Sequence, residues 1–154
     1  GVKISADLFG LATIQKDDLG IGQIIEDAYE NFDYVSPMVY PSHYASGFLG
    51  YKSPAKYPYE VIKYSMDSAV KKLSLLDGSA GATSTASASS TNLIASNKKF
   101  AELRPWIQDF DLGADYNVQM VKLEIDAIKD ALGSGFTGFM LWSPSNIYTV
   151  EALR

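Results

Sequence analysis

Residues 34–40, Tyr34-Val35-Ser36-Pro37-Met38-Val39-Tyr40, divide into two sets of alternating side chains. Val35, Pro37 and Val39 form one set and Ser36, Met38 and Tyr40 the other, the period-two pattern of a strand with one face against an apolar layer. The same pattern comes earlier at residues 2–9, where Val2, Ile4, Ala6 and Leu8 alternate with Lys3, Ser5 and Asp7. Between these two strands, Ile21, Ile24, Ile25, Ala28, Tyr29 and Phe32 follow helical spacing after a glycine-containing loop, so a helix is expected from Ile21. Downstream, Pro58 is suited to open a second helix with the stripe Ile62, Met66, Ala69, Val70 and Leu73. A third strand is expected over residues 103–110, then a helix presenting Val121, Ile125, Ile128 and Leu132, with Gly133 as its stop. Residues 139–142 read as a fourth strand, and a last helix is expected from Thr149.

Strands that alternate with helices pair in parallel, because right-handed crossovers lay the helices on the sheet. The chain is therefore α/β. A complete eight-stranded barrel takes about 250 residues, so 154 residues suit either half a barrel or a small open sheet. With 47% hydrophobic residues the chain can bury a core as one domain, residues 1–154. Residues 78–92 contain only Gly, Ser, Ala, Thr and Asn and read as a flexible insertion, expected on the barrel face opposite the active site.

Composition removes several functions. Thirteen basic against eighteen acidic side chains give a net charge of -5, with no basic stripe to neutralise phosphates, so nucleic acid is not an expected partner. No apolar run approaches the roughly 20 residues of a membrane helix. Cysteine is absent and His43 is the sole histidine, which excludes thiolate chemistry, cysteine-rich zinc sites and a histidine-rich metal centre. No phosphate-cradling glycine loop or nucleophile elbow occurs, and neither cofactor nor metal is expected. The opening at Gly1, directly before a strand pattern, reads as a cut or processed end.

The run Phe32-Asp33-Tyr34-Val35-Ser36-Pro37-Met38-Val39-Tyr40-Pro41-Ser42-His43-Tyr44 resembles a segment of the putative glycosyl hydrolase domain family, bacterial proteins read as TIM barrels. Three further segments agree in order: Ser5-Ala6-Asp7-Leu8-Phe9-Gly10 with Gly20-Ile21-Gly22-Gln23, Leu103-Arg104-Pro105-Trp106-Ile107-Gln108-Asp109-Phe110, and Gly138-Phe139-Met140-Leu141-Trp142-Ser143. The resemblance implies the C-terminal half of such a barrel, strands five to eight. It also implies a carbohydrate substrate, with the principal acid on the N-terminal half. The expected partner is that half or a second copy of the chain. A polysaccharide substrate places the protein outside the cell or at its envelope, with the cytoplasm left open.

Barrel enzymes carry their reacting groups at the C-terminal strand ends. Parity directs Asp7 toward the lumen, either as general acid, base or nucleophile or as a structural carboxylate paired with Lys3 or Arg104. Tyr40 and Gln108 are the inward polar residues of their strands and are grouped with Asp7 as catalytic candidates; the Met-x-Tyr pattern also resembles the sixth strand of chitinase-like barrels. Tyr44, His43, Trp106 and Trp142 are candidate sugar-binding residues, since aromatic faces cover the C–H faces of sugars. Asp109 points away from the lumen and reads as structural. The alternative function is a non-catalytic carbohydrate-binding or scaffold domain with the same aromatic cleft.

Overall fold

Burial of Leu8, Val35, Leu103 and Ile107 against the helices turns these patterns into a sheet with one sealed face. The computed structural model describes residues 1–77 and 100–154, so the insertion expected at residues 78–92 lies outside the described residues. Strands β1 (Ser5–Phe9), β2 (Tyr34–Met38), β3 (Glu102–Leu103), β4 (Trp106–Gln108) and β5 (Met140–Trp142) interleave with helices α1 (Ile25–Asn31), α2 (Pro58–Leu76) and α3 (Val118–Leu132). Every pairing is parallel: β1 with β2, β2 with β3 and β4, and β4 with β5. The chain is an α/β protein whose strands lie side by side in chain order, and the sheet is not closed: β1 and β5 form its edges.

The third strand, expected as one run over 103–110, is interrupted. Its two pieces share one register, with Val35 opposite Leu103 and Met38 opposite Trp106. The Arg104 N–H donates to the Val35 carbonyl at 3.0 Å and the Val39 N–H to the Trp106 carbonyl at 3.1 Å. Between these rungs stands Pro37, which has no N–H to give. On the other edge the Pro105 carbonyl accepts from the Met140 N–H at 2.9 Å, but its nitrogen donates nothing. Pairing with β5 accordingly starts at Trp106 opposite Met140.

The first helix starts at Ile25 rather than Ile21. Leu19, Gly20 and Gly22 have φ values of 58°, 67° and 74°, in the left-handed region that a right-handed helix cannot contain. Ile21 and Ile24 are consequently exposed, and the core side of this segment begins at Ile25. Pro58 does open α2, and the Asn117 side chain caps α3 by accepting from the N–H groups of Gln119 and Met120. Gly133, φ 50°, ends α3 as expected. Past Thr149 the chain forms only a 3-10 turn, Val150–Leu153, instead of a helix.

Leu8, Val35, Val39, Leu103 and Ile107 of the sheet join Ile25, Tyr29, Ile62, Met66, Val121, Ile125 and Ile128 of the helices in one core. Tyr29 is fully buried and donates its hydroxyl to the Ala69 carbonyl at 3.0 Å, tying α1 to α2. Lys72 of α2 reaches the carbonyls of Ala12 and Gln15 and the carboxylate of Glu26, so the segment after β1 is held to the helix layer. Ile107 is fully buried at the sheet centre. Ile107→Ala is expected to cost about 2–5 kcal/mol through lost burial and the cavity left behind, measured as a shift in the urea midpoint at unchanged slope.

Candidate active site

Since Leu8, Val35 and Ile107 point into the helix layer, their neighbours Asp7, Ser36, Trp106 and Gln108 belong to the opposite sheet face. Asp7 sits opposite Ser36 in register, two residues before the end of β1. Its partner is neither Lys3 nor Arg104. Lys3 pairs with Asp33 at 2.6 Å, and the Arg104 guanidinium lies 3.9 Å from the centre of the Tyr34 ring. Asp7 instead accepts a hydrogen bond at 3.1 Å from the Trp106 indole N–H, which reaches across β2. Trp106 meets Trp142 edge to face with ring centres 6.3 Å apart, and Trp142 keeps 45% of its surface exposed. Asp7, Trp106 and Trp142 thus form one continuous group, a carboxylate beside two indoles.

Tyr40 lies beyond the end of β2, with His43 at 5.2 Å and Phe110 at 5.8 Å from its ring centre, both edge to face. Burial, reinforced by the negative charge of Asp7 and then of Glu124, pushes the Tyr40 hydroxyl up to about 12. At neutral pH it is therefore a proton donor. His43 is exposed on the rim. Tyr44 is placed differently from the stacking role expected of it beside Trp142: it is buried, its hydroxyl is 2.8 Å from Ser65 Oγ, and its ring packs on Phe48. Gly10 lets the chain turn tightly here, because a Cβ on it would stand 2.4 Å from the Met38 carbonyl oxygen. Gln23, from the Gly-Ile-Gly-Gln motif, accepts from the Phe9 N–H at 2.7 Å and fastens its loop over the end of β1.

Gln108 does not present its amide to the open face. It is fully buried, accepts from the Ser42 N–H at 3.1 Å and donates to the Phe110 carbonyl at 2.9 Å. Its role is to clamp the loops after β2 and β4, which carry His43 and Phe110. Behind it lies a residue that sequence reasoning missed. Glu124 of α3 is 0% exposed; one carboxyl oxygen accepts from the Gln108 N–H at 3.3 Å, and the other has no partner among the described residues. Burial drives its carboxyl well above the usual range, opposed by the Gln108 N–H and reinforced by Asp109. Position 124 falls on the stripe of Val121, Ile125 and Ile128, and an acid on that apolar face was the available signal. Asp109, expected to be structural, accepts from the Thr149 N–H at 2.7 Å, and Asp111 accepts from the Tyr116 N–H at 2.7 Å.

The candidate residues Asp7, Trp106 and Trp142 share one face of a parallel, helix-backed sheet, with Tyr40 and His43 beyond the end of β2; this is the β/α class, in which strand ends and loops carry chemistry. Within that class, residues 1–148 match the family model described as a putative glycosyl hydrolase domain, and the chain belongs to this family. Comparison with curated proteins and with solved structures gives no match.

Glu124 makes stability depend on pH in a defined sense. A carboxyl held neutral in the folded state and ionised in the unfolded one favours unfolding above its ordinary value of 4.5. In the window between 4.5 and the raised folded value, the difference in stability between the protein and Glu124→Gln is expected to move against the native side chain. The slope is about 1.4 kcal/mol per pH unit. Urea unfolding of both proteins across pH 5–8 checks it, and parallel curves would show that Glu124 stays ionised.

Proposed function

We propose that the protein is a glycoside hydrolase acting on a polysaccharide of the cell envelope, with Asp7 as the carboxylate that this chain supplies. The observation that carries the proposal is the Asp7–Trp106–Trp142 group. An indole N–H fixes one oxygen of Asp7, and the exposed Trp142 face offers a floor for a sugar ring. Tyr40 adds a protonated hydroxyl able to donate to a sugar oxygen. Glycoside cleavage uses two carboxyl groups, one to protonate the leaving oxygen and one to attack the anomeric carbon or activate water. Asp109, Asp111 and Glu124 are each engaged by a backbone N–H, so we assign the second carboxyl to strands outside this chain.

That assignment goes with a half-barrel: four strands here, four from the N-terminal half of the same barrel or from a second copy. Two open edges and a sheet face bearing Trp106, Trp142 and Met140 support it, because such edges pair with other strands unless covered. Sedimentation of the 154-residue chain at micromolar concentration is expected to show self-association. A folded monomer would overturn pairing with a second copy.

The lack of a second free carboxylate beside Asp7 among the described residues favours one competing role, sugar binding without cleavage. Release of reducing ends from a panel of polysaccharides separates the two. For a hydrolase, Asp7→Asn lowers turnover by about 10²–10⁴-fold with the fold intact, and Trp142→Ala weakens polysaccharide binding about tenfold. For a binding domain, Trp142→Ala has the same effect, while the unmutated protein releases no reducing ends.

A further inference from the structure

Beside the Asp7 group, the ends of β1 and β2 enclose a cavity of about 120 Å³ lined by Phe9, Gly10, Leu11, Met38, Tyr40, His43 and Tyr44. Its size limits what can enter. Pockets that surround a whole small ligand hold roughly 300–1,000 Å³, so this one admits a substituent and excludes a sugar ring.

The lining limits the substituent's chemistry. Phe9, Leu11 and Met38 offer only carbon or sulfur, and Tyr44 spends its hydroxyl on Ser65. The Gly10 wall has no side chain and no space for one. A bare sugar hydroxyl pushed among these groups would give up its water hydrogen bonds without replacement. Two further lining residues, Tyr40 and His43, carry polar groups able to donate to a ligand at the cavity edge. Tyr40 is held in its donor form by burial. An apolar pocket with donors beside it fits a short group that ends in a methyl and carries a carbonyl.

We propose that this cavity is a specificity socket for an acetyl substituent on the sugar bound over Asp7 and Trp142. The methyl seats among Phe9, Leu11 and Met38, and the carbonyl oxygen accepts from Tyr40 or His43. The socket rests on the glycoside hydrolase reading and narrows it to acetylated polysaccharides. The acetyl group arrives through nitrogen or through oxygen, and the two sources separate experimentally.

Binding of N-acetylglucosamine, 6-O-acetylglucose and glucose to the intact protein, followed by saturation-transfer NMR, tests the socket. At least one acetylated sugar should bind about tenfold more tightly than glucose, with its methyl protons receiving the strongest saturation; which one does so identifies the linkage. Leu11→Trp, at a partly exposed position on the cavity wall, fills the space and should abolish the preference for the acetylated sugar over glucose. Leu11→Ala, which keeps the space open, should retain the methyl saturation and shows that the loss in the tryptophan variant comes from filling. Equal binding of all three sugars, or an acetyl preference that survives Leu11→Trp, overturns the socket and leaves the hydrolase reading standing. Failure of every sugar to bind overturns both.

Discussion

A strand sealed on one side by helices has no freedom in what it shows on the other, because its side chains alternate by covalent geometry. Leu8, Val35, Leu103 and Ile107 enter the core with the faces of α1, α2 and α3. That burial sets the register of each strand, since a slip of one residue would exchange the apolar set for the polar one. Asp7, Trp106 and Trp142 meet on the open face as a consequence. The carboxylate–indole contact at 3.1 Å is therefore held in place by hydrophobic packing on the far side of the sheet. Changes in the core and changes at the rim should for this reason be coupled across β2 and β4.

Much of the fold was legible because these strands are short and regular. Alternation at 2–9 and 34–40 led to β1 and β2, and the expected parallel pairing is the observed one. Helix ends were legible where the chemistry is local, at the Pro58 start and at the Gly133 stop. The first helix was placed too early because Ile21 and Ile24 fit a helical period by spacing alone, while the positive φ angles before them belong to a loop that packs its own way. The break between β3 and β4 was written in Pro37 and Pro105, but only pairing partners reveal which hydrogen bonds a proline removes.

The site was legible in part, and along a clear line. Strand parity names the side of the sheet, so Asp7, Trp106 and Trp142 were recoverable from the chain. Parity does not report what a loop lays over that side. Gln108 faces as expected, yet the loops at Ser42 and Phe110 close around its amide and convert a supposed substrate contact into a clamp. Tyr44 is drawn from the rim into contact with Ser65 in the same way. Glu124 escaped because it lies behind the sheet, where a helix stripe of apolar residues carries one acid.

Pro37 and Pro105 also bear on whether an open sheet can stack on copies of itself. Cross-β aggregates grow when each residue of a flat apolar segment can donate and accept along the stack. Both segments at the sheet centre, residues 34–40, which include β2, and residues 102–108, across β3 and β4, contain a proline that leaves one donor missing. A copy of either segment stacked on itself would repeat that missing donor at every layer, and the defect would recur along the whole fibril. Within the native sheet the loss at Pro37 occurs once. The same residues that interrupt the ladder thus act as gatekeepers, making the chain a poor template for its own misassembly.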